Sequence, residues 1–345
     1  MKKILFNLTD AELEKFIVDM GQPRFRAKQI REWLNRGAPD FMSMKNIPES
    51  LRGALDEVAQ TLPVKIIKKL ESSDGETTKF LLELNDGEQI ECVLMRTTYG
   101  NSVCVSSQAG CAMGCKFCAS TLLGLKRNLT ANEIFAQILV AQWELRADKF
   151  NDKPIRPNGD ANNGDVSHIV VMGTGEPLQN TENVIDFIER ANHDMGIGWR
   201  RITVSTCGIV PGIKKFAEEG LSVTLALSLH APNDDVRKTL MPIAYKYSLS
   251  EILPACKEYF EKTGRRLTFE YSLVQGVNDN LDEAKKLADL IKDMHGHVNL
   301  IPVNPIKERD YVQSNTKAIE AFKNKLEKAG INATVRREMG RDIDG

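Results

Sequence analysis

From residue 100 onward the chain alternates short apolar runs with amphipathic stretches, and this alternation constrains the fold more than any other feature of the 345 residues. The runs "SVCVSSQ", "SHIVVMG", "RITVS", "SVTLALSLH", "LTFEYSLV", "HVNLIPV" and "NATVRR" are separated by helical periodicities at 130–147, 181–195, 248–263, 281–293 and 315–329. Strands that are apolar on both faces and joined by helices predict a parallel sheet, closed or partly closed as an α/β barrel. In such a barrel the chemistry gathers in loops at the C-terminal ends of the strands. The polar ends "MGTGEP" (172–177), "STCG" (205–208), "SLHAPND" (228–234) and "IPVNP" (301–305) are therefore expected on one face, around one pocket.

The front of the chain has another texture. Residues 8–60 read as short helices: "LTDAELEKFIVDM" offers Thr9 and Asp10 as caps, with Leu13, Phe16, Ile17 and Met20 at helical spacing. From residue 64 three strand-like runs, "VKIIKKLE", "TTKFLLEL" and "EQIECVLMR", are joined at the turn pairs Asp74-Gly75 and Asp86-Gly87. The expected organisation is a helical accessory module at 1–62, a β-meander at 63–99 and the barrel at 100–345. The segment 151–165, "NDKPIRPNGDANNGD", has no periodicity and reads as a surface insertion.

With 46 basic and 47 acidic residues the net charge is −1, so any nucleic-acid contact must be local. The densest basic stretch is 23–36, where Arg24, Arg26, Lys28, Arg31 and Arg36 face only Glu32. It is either an RNA contact or a solvated helix face. The start "MKKILFNLTDAE" turns polar too soon for a signal peptide, and no run approaches the ~18 apolar residues that cross a bilayer. A cytoplasmic location without a membrane partner is the expectation, and in a reducing cytosol grouped cysteines point to metal or catalysis.

Three of the seven cysteines, Cys111, Cys115 and Cys118, are grouped in "GCAMGCKFCAST". A structural zinc site wants four protein ligands, commonly as two separated pairs, and no second pair follows. A four-iron cluster held by three thiolates keeps one iron open, and an open metal position is where a substrate or cofactor binds.

C-x3-C-x2-C after the first barrel strand resembles the radical S-adenosylmethionine superfamily. In that superfamily the open iron of a [4Fe–4S] cluster chelates the amino and carboxylate groups of the cofactor. The set "CVSSQAGCAMGCKFCAST", "VVMGTGEPL", "ITVSTCGIVPGI", "LALSLHAPND", "LIPVNP" and "RREMGRDID", from about residue 20 to the end, is similar to the bacterial adenine-C2 methyltransferases of 23S ribosomal RNA and tRNA. The resemblance implies a partial parallel (β/α)6-type radical SAM barrel. It further implies methylation of carbon 2 of an adenosine in the peptidyl-transferase centre of 23S rRNA, and of the adenosine 3′ to the anticodon in tRNA. An electron donor such as flavodoxin or ferredoxin and a monomeric state go with it. The chemistry agrees, because an electron-poor C–H carbon cannot attack a sulfonium methyl donor as an amine can, whereas a carbon radical can add to it.

By match to the family motifs, Cys111, Cys115 and Cys118 ligate the cluster. Gly175, Glu176, Ser205, Ser228, Leu229, His230 and Asn304 fall where the family binds S-adenosylmethionine. The carboxylate suits the cofactor's ammonium, and Ser, His and Asn suit its ribose or carboxylate. Cys104 matches the cysteine that resolves a covalent protein–RNA intermediate through a disulfide, although a small buried strand residue would look the same. Glu91 matches the family's proton acceptor; apolar neighbours suit that role, while strand alternation places many such residues toward solvent. The basic stretch with Arg24, Arg26, Lys28 and Arg31 is the expected RNA reader, with the target base turned out toward the barrel mouth.

Two other readings stand beside this one. The sister activity methylates carbon 8 of the same ribosomal adenosine; "GEPL" resembles the C2 enzymes, whereas the C8 enzymes tend to have Ala in place of Pro177. A non-catalytic, metal-stabilised RNA-binding protein is the other. In the family the last motif continues past "DIDG" into Ala-Cys-Gly-Gln-Leu, whose cysteine carries the methyl group, and this sequence stops at Gly345. A shortened sequence explains this better than a new mechanism. The 345 residues are expected to bind cluster and cofactor without completing methyl transfer, and a methylation assay on a ribosomal RNA fragment with normal turnover would overturn that.

Overall fold

A computed structural model describes residues 2–150, 164–304 and 308–343. Most of the segment expected to be a surface insertion, residues 151–163, lies outside the described residues, as does Pro305 of "LIPVNP". In chain order the first elements are β1 (Lys3–Ile4), α1 (Asp10–Asp19), α2 (Phe25–Asn35), α3 (Glu49–Val58) and β2 (Ala59–Gln60). There follow β3 (Val64–Glu71), β4 (Thr77–Leu84), β5 (Gln89–Thr97), β6 (Gly100–Cys104), β7 (Gln108–Gly110), β8 (Leu125–Asn128), α4 (Ala131–Phe150) and β9 (Val166–Val171). The rest alternates: α5 (Thr181–Met195), β10 (Ile202–Thr206), α6 (Val210–Glu218), β11 (Thr224–Ser228), α7 (Asp234–Leu240) and α8 (Leu249–Thr263). Then come β12 (Leu267–Leu273), α9 (Leu281–Ile291), β13 (Gly296–Pro302), α10 (Thr316–Lys328) and β14 (Ala333–Val335).

The chain forms two compact units, each assembled from separate stretches. One comprises Met1–Val105, Leu129–Ile169 and Met339–Gly345; the other comprises Ser106–Asn128 and Val170–Glu338.

In the first unit, Thr9 caps α1 through a reciprocal box: Thr9 N–H donates to Glu12 Oε2 at 2.8 Å, and Glu12 N–H donates to Thr9 Oγ1 at 3.3 Å. Of the residues read at helical spacing, Leu13 and Ile17 of α1 are buried and Phe16 and Met20 half-buried; Ile30 and Leu34 of α2 and Leu51 and Leu55 of α3 are buried as well. Burying each such side chain contributes about 1.5–3 kcal/mol. The strands β3, β4, β5 and β6 pair antiparallel in order, and Gly75 and Gly87 supply φ of 68° and 87° in the two expected turns. Phe6 stacks on Phe135 of α4 with ring centroids 6.0 Å apart, tying the N-terminus to that helix.

In the second unit, β10, β11, β12, β13 and β14 lie side by side in chain order, every pair parallel. Each crossover carries at least one helix, which is the α/β arrangement the alternating pattern demands. β12 is nearly all buried, and Phe269 and Tyr271 within it are fully so. Every strand therefore ends with its C-terminal loop on the same edge of the sheet, and the candidate site is found there. None of the described helices is long and apolar enough to cross a membrane.

Candidate active site

The three clustered cysteines do not follow the first strand run directly. They lie in a loop carried by a separate antiparallel ribbon of β7 and β8, of which β8, "LKRN", was not legible as a strand. Gly110 (φ 73°) passes so close to Gly124 that a Cβ there would meet the Gly124 carbonyl oxygen at 1.9 Å, and Cys111 N–H donates to that same oxygen at 3.2 Å. Inside the loop, Thr121 Oγ1 donates to the carbonyls of Cys118 and Cys115 at 3.0 and 3.3 Å. Lys116 N–H donates to Leu240 O at 2.9 Å, fixing the loop against the end of α7.

Cys111, Cys115 and Cys118 line one cavity of about 150 Å³, together with Glu176, Ser205, Ser228 and His230. Three of the four strand ends expected to share a pocket contribute to it, at 172–177, 205–208 and 228–234, with Gly175 among the lining residues; "IPVNP" does not. Burial is the main cause that pushes the thiols up, Cys111 to about 11 and Cys115 to about 12, and each is raised further by its neighbouring thiols and by Glu176. Among the described residues no three His, Cys, Asp or Glu side chains stand close enough to share one metal ion. The thiolates of a [4Fe–4S] cluster each take a different iron, so they need not converge on one ion. Three soft sulfur donors around one cavity are a donor set for such a cluster.

Gly175 is required by space: at φ 110° a Cβ would meet Gln108 Cβ at 2.6 Å. Its absence lets Gln108 Oε1 accept Glu176 N–H at 2.8 Å. Glu176 is buried, and its carboxylate accepts Cys207 N–H at 2.7 Å and Leu178 N–H at 3.0 Å. Burial raises its pKa, while the hydrogen bonds from Cys207 and Leu178 oppose the rise. The side chains of Thr206 and Cys207 also hydrogen-bond the carboxylate, so it is held in place from several sides. Ser205 Oγ and Ser228 Oγ lie 3.3 Å apart at the ends of β10 and β11.

His230 sits in the left-handed region at φ 55°, and its ring makes an edge contact with Phe117 at 4.8 Å between centroids. Its Nδ1 accepts Ser272 N–H at 2.9 Å, which leaves the proton of the neutral ring on Nε2. Burial, and secondarily the Arg237 guanidinium, lower its pKa to about 3.

Arg237 and Asn278 were not singled out by the sequence. The fully buried Arg237 donates to the carbonyls of Cys207 at 2.6 Å, Leu229 at 3.2 Å, Tyr247 at 3.4 Å and Ser228 at 3.5 Å. Asn278 Nδ2 donates to His230 O and Ser272 O, both at 2.7 Å. The partners lie up to 48 positions away in sequence, beyond the reach of any local pattern.

The other expected residues are placed differently. Leu229 is fully buried, with its N–H on Glu270 O at 3.0 Å and its carbonyl held by Arg237, so it serves the wall of the site through its backbone. Asn304 is exposed and does not line the cavity. Glu91 lies on the solvent side of β5, its side chain 50% exposed and paired with Lys79 Nζ at 2.8 Å, so the apolar surroundings expected of it are absent. Cys104 is half-buried on β6 opposite Val93. Arg24, Arg26 and Lys28 reach solvent on α2, with Arg24 paired to Glu14 and Arg26 lying over the Phe25 ring. Arg31 departs from the RNA-reader expectation: it is tied to Asp10 Oδ1 at 2.8 Å and to the Leu8 carbonyl, clamping α2 to the start of α1.

A buried neutral histidine makes stability depend on acid. The folded pKa of about 3 lies below the ordinary 6.5, so protonation favours unfolding; stability is full above pH 6.5 and falls as pH drops toward 3. The slope reaches about 1.4 kcal/mol per pH unit at most. His230→Asn keeps an acceptor for Ser272 N–H and tolerates the left-handed backbone. Urea unfolding at pH 7 and pH 4.5 should show a smaller acid loss for the variant than for the unaltered protein.

Comparisons with known proteins bear on the same residues. Residues 4–61 match the model of the ribosomal RNA large subunit methyltransferase N-terminal domain, and residues 159–291 match the radical SAM superfamily. The chain is 52% identical over 347 aligned residues to a probable dual-specificity RNA methyltransferase RlmN of Clostridium perfringens strain 13, covering all of this chain and 95% of that one. It is 49% identical to the protein of the same description from Lachnospira eligens, covering 97% and 91%. The crystal structure of a radical SAM methyltransferase from Sphaerobacter thermophilus superposes with a TM-score of 0.85 at 42% identity, covering 99% of this chain and 97% of that one. The fold is thus an α/β radical SAM barrel, its cofactors are a [4Fe–4S] cluster and S-adenosylmethionine, and the chain belongs to the dual-specificity RNA methyltransferase RlmN family.

Proposed function

We propose that the protein methylates carbon 2 of an adenosine in 23S ribosomal RNA and in tRNA, in the cytoplasm. The observation that carries this reading is one cavity joining three cysteines, a buried glutamate, two serines and a neutral histidine in a chain 52% identical throughout to an RlmN protein. Cys111, Cys115 and Cys118 would hold the cluster, which supplies one-electron cleavage of the bound cofactor. Glu176 takes the cofactor's ammonium, an ion pair that offsets the cost of burying the carboxylate. Ser205 and Ser228 hydrogen-bond its ribose or carboxylate, and His230 offers the Nε2–H donor left by its bond to Ser272. The buried part of the wall, with Met113, Val171 and Met241, limits the access of water to reactive species.

Cys104 keeps the resolving role implied by the family match. Glu91, paired with Lys79, carries the proton-acceptor role by that match alone. Pro177 lines the cavity and opens a single tight turn, and it is the residue that favours carbon 2 over carbon 8. The helical front of the chain, with Arg24 and Lys28 exposed and Arg26 half-buried, reads the RNA electrostatically.

Anaerobically reconstituted protein should be brown, with about four irons and four sulfides. A colourless zinc protein would overturn the reading. Mass spectrometry of RNA digested after reaction with a version extended by the family's Ala-Cys-Gly-Gln-Leu segment should give 2-methyladenosine, and 8-methyladenosine would transfer the assignment to the sister activity. Reversing the charge at Arg24, Arg26 and Lys28 should weaken RNA binding about tenfold and flatten its salt dependence, with cofactor affinity unchanged. Arg31→Glu should instead lower stability.

A further inference from the structure

A second hollow adjoins the cysteine loop, lined by Ala112, Met113, Pro242, Ile243, Tyr245 and Lys246. Met113 lines both this hollow and the active-site cavity, while of two successive residues Met241 faces the cavity and Pro242 the hollow. A single layer of chain separates the two, and Cys111 and Cys115 lie in that layer. Gly114 keeps the layer thin, since a Cβ there would already touch Pro242 at 3.4 Å.

The rim of the hollow is aromatic and basic. Tyr245 is 76% exposed, and Lys238 Nζ stands 5.8 Å from its ring centroid. Lys246 Nζ lies 5.2 Å from the Tyr247 ring, and the exposed Lys116 is held alongside by its bond to Leu240. Of the two acids opening α7, Asp234 accepts Leu249 N–H at 3.0 Å, which leaves Asp235 as the exposed carboxylate beside these lysines. An exposed tyrosine among lysines, on a patch of limited size, has the composition of a transient docking surface whose association is steered by charge.

An RNA base must enter the cavity to react, whereas an electron need only reach the cluster across the thin layer. We propose that this patch docks a small, acidic one-electron carrier protein, so that electrons enter beside the cysteine loop without passing through the substrate cavity. The inference rests on the cluster assigned above to Cys111, Cys115 and Cys118. In each encounter the reduced carrier loses one electron and the oxidised cluster gains one; no covalent bond is made or broken. Negative charge on the carrier complements Lys116, Lys238 and Lys246.

The test uses the reconstituted holoprotein and a reduced bacterial flavodoxin as the probe. The double variant Lys238→Glu, Lys246→Glu should slow cluster reduction by flavodoxin about tenfold or more at low ionic strength and remove most of its salt dependence, with reduction by dithionite unchanged. Tyr245→Ala should weaken the flavodoxin Kd measured by titration calorimetry, and Lys262→Glu with Lys292→Glu, elsewhere on the same unit, should leave rate and Kd alone. An unchanged flavodoxin rate in the double variant overturns the proposal, and so does equal slowing with dithionite, which would mean a damaged cluster. Loss of RNA affinity with a normal flavodoxin rate would assign the patch to RNA and also overturn it. A protein without iron and without a dithionite response would remove the cluster assignment itself, a failure distinct from that of the docking site.

Discussion

The guanidinium of Arg237 is the interaction on which the site is built. It lies fully buried where β10 and β11 end, and its donors take the carbonyls of Cys207, Ser228 and Leu229, with Tyr247 beyond. Parallel strands that stop at one edge leave carbonyls without ladder partners, and a planar fork of five donors satisfies several of them at once. Burying the charge costs several kcal/mol, which charged hydrogen bonds of about 1.5–3 kcal/mol each can offset. The Cys207 peptide is gripped from both sides, its N–H by Glu176 and its carbonyl by Arg237. Glu176 and Arg237 are therefore coupled through the backbone of a single residue.

The same cation sets the electrostatic tone around it. It adds to burial in keeping His230 neutral, and it opposes burial at Cys115 and Cys207. A neutral His230 with its lone pair spent on Ser272 can only donate, while Glu176 can only accept. Donor and acceptor are fixed on opposite partners of the cavity before anything binds, and such preorganisation removes reorganisation cost from binding.

Much of this was legible from residue order. The helix expected at 181–195 has those bounds, the Thr9 cap and the Asp-Gly turns are where the chemistry of those residues requires them, and three of the four polar strand ends meet at one cavity. What stayed hidden shares one physical cause: its partners are remote. Arg31 looked like its neighbours Arg24 and Lys28, yet its anchors Asp10 and Leu8 lie 21 and 23 positions earlier. Glu91 looked apolar in context because strand neighbours face the opposite side, and its own side meets Lys79 across the ladder. The β7–β8 ribbon escaped notice because "LKRN" is charged and largely exposed, so no apolar period marks it.

The cysteine loop therefore answers to two surroundings at once. On its inner side the proposed assignment asks for rigidity, with three thiolates and a cofactor meeting within a small cavity, and Gly110, Thr121 and Lys116 fix the loop's backbone at three points. On its outer side it borders the Tyr245 hollow, where Tyr245 and Lys246 are exposed. Rigidity suits chemistry that needs sub-ångström placement. An exposed, charged rim suits the proposed partner, which must arrive, transfer charge and leave within one turnover, since a tightly held carrier would slow its own replacement. The thinness of the layer at Met113 and Gly114 is what allows one short loop to meet both demands.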